Sequence, residues 1–167
     1  MRKKKAVGFN NKQVAKRTSA TREKNKLVGN ELEAIELMKK GNLKEAESIL
    51  NQIIELDKRN YNAISNLANI YWATNRKNQA IDFLKKGIKI KPESYRDHFN
   101  LGIAYQTMGN TELAINSYLE AIRINPTSLE VINNLGLAFR AKGETNSAIS
   151  IYKQSLSLDP DNHQILN

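Results

Sequence analysis

Three asparagines recur at a fixed spacing in this chain: Asn66, Asn100 and Asn134 stand 34 residues apart. A primary amide carries one acceptor and two donors, so it can pair with both polar groups of a peptide unit. Amides set in a row at a regular interval are suited to holding a backbone rather than to breaking a bond. Trp72 and Phe99 lie close to them in sequence, and aromatic side chains bury a large area at small entropic cost when they anchor a partner.

Catalytic chemistry has little to work with. The 167 residues contain no cysteine, which removes thiolate zinc sites, thiol nucleophiles and disulfides. There are two histidines, and neither pairs with a serine, aspartate or glutamate at a spacing that suggests nucleophilic catalysis or a metal site. His98 falls on an apolar helical stripe and reads as a packed or hydrogen-bonded core residue; His163 has no evident partner. No glycine-rich phosphate loop is present. The chain reads as non-catalytic, with no cofactor and no metal. No uninterrupted apolar run approaches the roughly 20 residues that cross a bilayer, and the basic N-terminus is not followed by an apolar stretch, so a cytoplasmic location is expected.

The formal charge of +9 is unevenly placed. Residues 1–26 hold ten basic residues and one acid, while the remainder is balanced. With so few large apolar side chains, this segment reads as a largely disordered basic tail. Such an arm attracts phosphate backbones or anionic surfaces in a salt-dependent way, and otherwise serves as a solvated tail. Lys85, Lys86, Lys89 and Lys91 form a second basic cluster, which reads as a solvated helix face.

The elements that position the asparagines follow from the same 34-residue period. Leu67-Ala68, Leu101-Gly102 and Leu135-Gly136 share one register. So do Tyr71, Tyr105 and Phe139, then Ala80, Ala114 and Ala148, then Leu84, Tyr118 and Tyr152, and finally Pro92, Pro126 and Pro160. The copies are 61–94, 95–128 and 129–162, with a weaker one at 27–60 that keeps Ala34, Gly41, Ala46 and Leu50. In 95–128, His98, Leu101, Gly102 and Tyr105 fall at i, i+3, i+4 and i+7, which is one face of a helix. Met108-Gly109-Asn110 breaks that pattern, a second stripe runs through Ala114, Tyr118 and Ala121, and Asn125-Pro126 ends it.

These residues resemble the tetratricopeptide repeat family, whose pattern here reads His98-x2-Leu101-Gly102-x2-Tyr105, Gly109, Ala114-x3-Tyr118-x2-Ala121, Pro126. The departures are Ile64, His98 and Ile132 at the usual tryptophan site, Gly87 and Ser155 at the last small site, and Asn75 at the turn glycine. The resemblance implies an all-α fold, a right-handed α-solenoid superhelix of four helix-turn-helix repeats over 27–162, with 163–167 opening a further or capping helix. It also implies a concave groove lined by the first helix of each repeat. On that map the peptide-binding candidates are Asn66, Asn69, Trp72, Arg96, Phe99, Asn100, Gln106, Asn133, Asn134 and Arg140. The alternative for Trp72 and Phe99 is packing between neighbouring first helices. The asparagine ladder is similar to that of the O-linked N-acetylglucosamine transferases. The two-carboxylate clamp of chaperone-tail binders is not reproduced, since Glu31 and Ile35 stand where it needs Lys and Asn.

The expected function is a protein–protein interaction scaffold that binds an extended peptide or protein segment. The alternatives are the substrate-recruiting region of a larger glycosyl-, sulfo- or methyltransferase, and nucleic-acid or anionic-surface association through 1–26. Exposed apolar residues on the last helix, including Ile149, also raise self-association through the C-terminal repeat.

Overall fold

A computed structural model describes residues 27–158; the basic segment 1–26, Pro160, His163 and the expected further helix at 163–167 lie outside the described residues. The described chain is all-α, with eight helices and no strand. It divides into two compact units, one ending at Lys58 and one beginning at Arg59.

The first unit is one helix pair: α1, described over 27–39, and α2, Leu43–Leu56. Ala34, Ala46, Leu50 and Ile53 are fully buried. Gly41 turns the chain between the helices at φ 81°, a left-handed conformation that glycine adopts without a Cβ penalty.

The second unit stacks three pairs as an α-solenoid: α3 (Tyr61–Ala73) with α4 (Lys77–Ile90), α5 (Tyr95–Thr107) with α6 (Thr111–Ile124), and α7 (Leu129–Lys142) with α8 (Thr145–Leu158). The turn inside each pair sits at the register of Gly41. Asn75, Gly109 and Gly143 have φ of 60°, 77° and 82°. Asparagine is among the few non-glycine residues that tolerate this region, which accounts for Asn75 standing in for glycine. Asn60 and Ser94 cap α3 and α5, accepting bonds from the backbone amides of Ala63 and Asp97.

Each core cluster spans a pair and the first helix of the next. Ala68, Ile81, Leu84, Leu101 and Ala104 join α3, α4 and α5. Phe99, Ala114, Ile115, Tyr118, Ala121, Val131, Leu135 and Ala138 join α5, α6 and α7. Burying a side chain of this size contributes about 1.5–3 kcal/mol, so the junctions between pairs stabilise the unit as the pairs themselves do. Among the described residues no helix is long and apolar enough to cross a membrane.

Candidate functional site

The first helices α3 and α5 place three of the expected residues around one cleft. Asn69 and Trp72 come from α3, and Asn100 comes from α5 together with Ile103; Ala68 and Leu84 complete the lining. The cleft encloses about 100 Å³. Trp72 is half-buried, with one flank packed against the α3–α4–α5 core cluster. The Lys77 ammonium lies 6.0 Å from the centroid of its indole ring. The side-chain amides of Asn69 and Asn100 make no hydrogen bond with any described residue; Asn69 is exposed and Asn100 half-buried.

The other candidates divide into distinct situations. Asn66 is half-buried and likewise unbonded among the described residues. Asn134 differs, because its Nδ2 donates to the Glu130 carbonyl at 2.8 Å and one donor is already used within its own helix. Arg96 and Arg140 are exposed and are not among the residues that line the cleft. Arg96 Nε is 3.4 Å from the Tyr95 hydroxyl.

Three placements correct the sequence map. Phe99 is 6% exposed and packs among Tyr118, Val131 and Leu135, so it belongs to the junction between pairs and not to an open wall. Asn133, at the equivalent position, is also buried and accepts a hydrogen bond from Ser155 Oγ at 3.1 Å. This position turns toward neighbouring helices because a stacked helix buries two faces, one against its own partner and one against the adjoining pair. Gln106 is engaged as well: its Oε1 accepts a bond of 2.7 Å from the buried Tyr118 hydroxyl. Burial pushes the Tyr118 phenol well above its ordinary pKa.

One further expectation is adjusted. His98 is half-exposed at its apolar register, and its Nε2 reaches the Pro92 carbonyl oxygen at 3.0 Å. A carbonyl only accepts, so the imidazole is the donor in that contact. All four lysines of the basic cluster are exposed, and three of them lie over aromatic rings. Lys86 sits 4.2 Å from the Phe83 ring centroid, Lys91 5.1 Å from Tyr61 and Lys85 5.8 Å from Tyr105.

Sequence reasoning missed Ala68 and Leu84 as parts of the site. The signal was there: in the register that holds Tyr118 and Tyr152, the repeat 61–94 has a leucine.

Comparison with known proteins gives a consistent family. Models described as tetratricopeptide repeat match residues 37–101, 95–128 and 129–162. No curated protein is similar to the chain at a significant level. Among solved structures, a crystal structure of MamA is similar at 24% identity, with a TM-score of 0.75 over 86% of this chain and 79% of that one. Residues 41 to the end of MamA from Desulfovibrio magneticus RS-1 are similar at 19% identity, with a TM-score of 0.74 over 86% and 81%. YrrB, described as a TPR protein with an unusual peptide-binding site, is similar at 20% identity, with a TM-score of 0.76 over 88% and 77%. At these identities the likeness is one of fold.

Proposed function

Because the chain belongs to the tetratricopeptide repeat family, we propose that it is a non-catalytic scaffold that holds an extended peptide or protein segment along the wall formed by α3 and α5. One observation carries this reading: two unbonded amides, Asn69 and Asn100, flank the same cleft as the chain's single tryptophan. Packed helices lie about 8–10 Å apart and an extended chain rises about 3.3 Å per residue, so amides on successive first helices meet a bound backbone at roughly every third residue. The indole adds the apolar area that gives such a contact its affinity. A protein that shares this fold, YrrB, is described as having a peptide-binding site, which makes the use of the scaffold for peptides reasonable here.

The test is retention of members of a randomised library of unstructured peptides on the full chain and on Asn100→Ala. Peptides held by the first should be weakened about tenfold on the second, which corresponds to about 1.4 kcal/mol, while helicity and melting temperature stay unchanged. Equal retention by both proteins would remove the amide wall from consideration.

A further inference from the structure

The cleft beneath Trp72 exists because one repeat departs from the next two at paired positions. In 95–128 the pair is Gly102 on α5 and Tyr118 on α6; in 129–162 it is Gly136 on α7 and Tyr152 on α8. Each tyrosine ring crowds the position a Cβ on the glycine would take, so the ring packs directly against the glycine backbone. The Tyr118 ring then carries its hydroxyl on to Gln106 at the far end of α5. In 61–94 the glycine is Ala68, the tyrosine is Leu84, and Trp72 occupies the register of Gln106. A leucine stops short of the outer ring atoms and the hydroxyl. The unfilled volume, about 100 Å³, is lined by Ala68, Leu84 and Trp72 and opens between Asn69, Asn100 and Ile103.

We propose that this cleft is a specificity pocket for a leucine-sized aliphatic side chain of an acidic, extended peptide segment; the proposal rests on the scaffold reading above. The lining is apolar except for the two amides, so a charged side chain entering it would lose its hydration without gaining a partner. Its volume is close to that of an isobutyl group. The amides stand where they can take the N–H and C=O of the peptide units on either side of the entering residue. The acidic character follows from charge complementarity. No carboxylate lines the cleft, and Lys77 beside Trp72 forms no ion pair among the described residues.

The experiment compares the full chain with Ala68→Gly/Leu84→Tyr, which installs the pair that the next two repeats already accommodate. The probe is the same randomised library of unstructured peptides. The full chain should retain sequences with Leu, Ile or Val at one fixed position and Asp or Glu nearby. Replacing that aliphatic residue by alanine in a retained peptide should weaken binding to the full chain at least tenfold and abolish the shift in Trp72 emission. That measurement needs no variant protein. The filled variant should bind the parent and alanine peptides alike. An aromatic, basic or absent anchor, or an unchanged aliphatic preference in the filled variant, overturns the pocket while leaving the scaffold reading in place. Retention that Asn100→Ala does not alter, or a library from which nothing is retained, overturns both.

Discussion

A Cβ placed on Gly102 would come within 3.0 Å of Tyr118 Cζ and closer still to Cε1, so the α5 backbone and the α6 ring are in direct contact. Gly136 and Tyr152 repeat the relation 34 residues on, with Cδ1 at 2.9 Å and Cζ at 2.7 Å from the same virtual atom. The Leu-Gly dipeptide of the first helix and the aromatic residue of the second are therefore one structural feature. Glycine weakens an isolated helix by about 1 kcal/mol relative to alanine, and here that cost is offset by complete burial of a tyrosine ring.

That contact predicts losses of different origin at equivalent positions. Gly102→Ala gains helix propensity of about 1 kcal/mol but forces the Tyr118 ring aside, an overpacking cost of about 1–3 kcal/mol. A net loss of up to about 2 kcal/mol is expected in urea denaturation. Ala68→Gly, opposite Leu84, relieves no ring contact and should lose only the propensity, about 1 kcal/mol. Combined with Leu84→Tyr, the same Ala68→Gly change should recover stability. An additive double mutant would show that ring and glycine are not coupled.

The Tyr118 phenol gives a pH dependence with a definite sign. Burial raises its folded pKa above the value near 10 of an unfolded tyrosine. The folded state therefore keeps its proton where the unfolded state releases it. The stability tied to this group is fully present below about pH 10 and is lost as pH climbs from there toward the folded pKa. Phenolate absorbance should show Tyr118 titrating later than an ordinary tyrosine. Tyr118→Phe should remove that late-titrating component and, by losing the bond to Gln106, lower stability at neutral pH by about 1 kcal/mol.

The period made much of this legible. Gly41, Asn75, Gly109 and Gly143 are readable as turns because one register demands positive φ four times, and the structure supplies it each time. The helix pairs follow from the same arithmetic. Phe99 and Asn133 were misplaced because a single helical stripe predicts one buried face, whereas a helix in a stack buries two. Asn134 could not be told from Asn100 by type or spacing. Whether an amide bonds its own helix, as Asn134 does with the Glu130 carbonyl, depends on a rotamer that the sequence does not encode.

The junction between the first two pairs of the second unit is polar where the next is apolar. Asp97 is 2% exposed; its Oδ2 accepts from the Tyr61 hydroxyl at 2.8 Å, and Tyr61 also contacts Ser94 Oγ at 2.9 Å. A Cβ on Gly87 would stand 3.2 Å from the same Oδ2, so this glycine leaves space for the carboxyl group. At the following junction these positions hold Val131 and Ala121. Tyr61→Phe should cost about 1–3 kcal/mol by leaving a buried acceptor unsatisfied. Gly87→Ala alone should also destabilise, while Gly87→Ala/Asp97→Val should be neutral or stabilising, since apolar packing often equals a buried polar cluster. A double-mutant cycle by thermal denaturation checks the coupling; its absence would mean that Gly87 and Asp97 act independently.

Trp72 has two roles that a single alanine variant would confuse. One flank of the indole packs against the core cluster of Ala68, Ile81 and Leu84, and the other lines the cleft with Asn69 and Asn100. Trp72→Ala removes both contacts. Because the ring is only half-buried, its loss should cost less than the 3–5 kcal/mol of a fully buried aromatic, about 1–2 kcal/mol. Trp72→Phe keeps an aromatic flank on the core while shortening the surface offered to a ligand. It should leave the melting temperature within about 2–4 °C of the parent and still weaken peptide retention severalfold. Asn100→Ala, which breaks no described hydrogen bond and gains helix propensity, should weaken retention with no fall in melting temperature. If Trp72→Phe retains peptides as the parent does while Asn100→Ala does not, recognition at this wall runs through the amides and the indole serves the core alone.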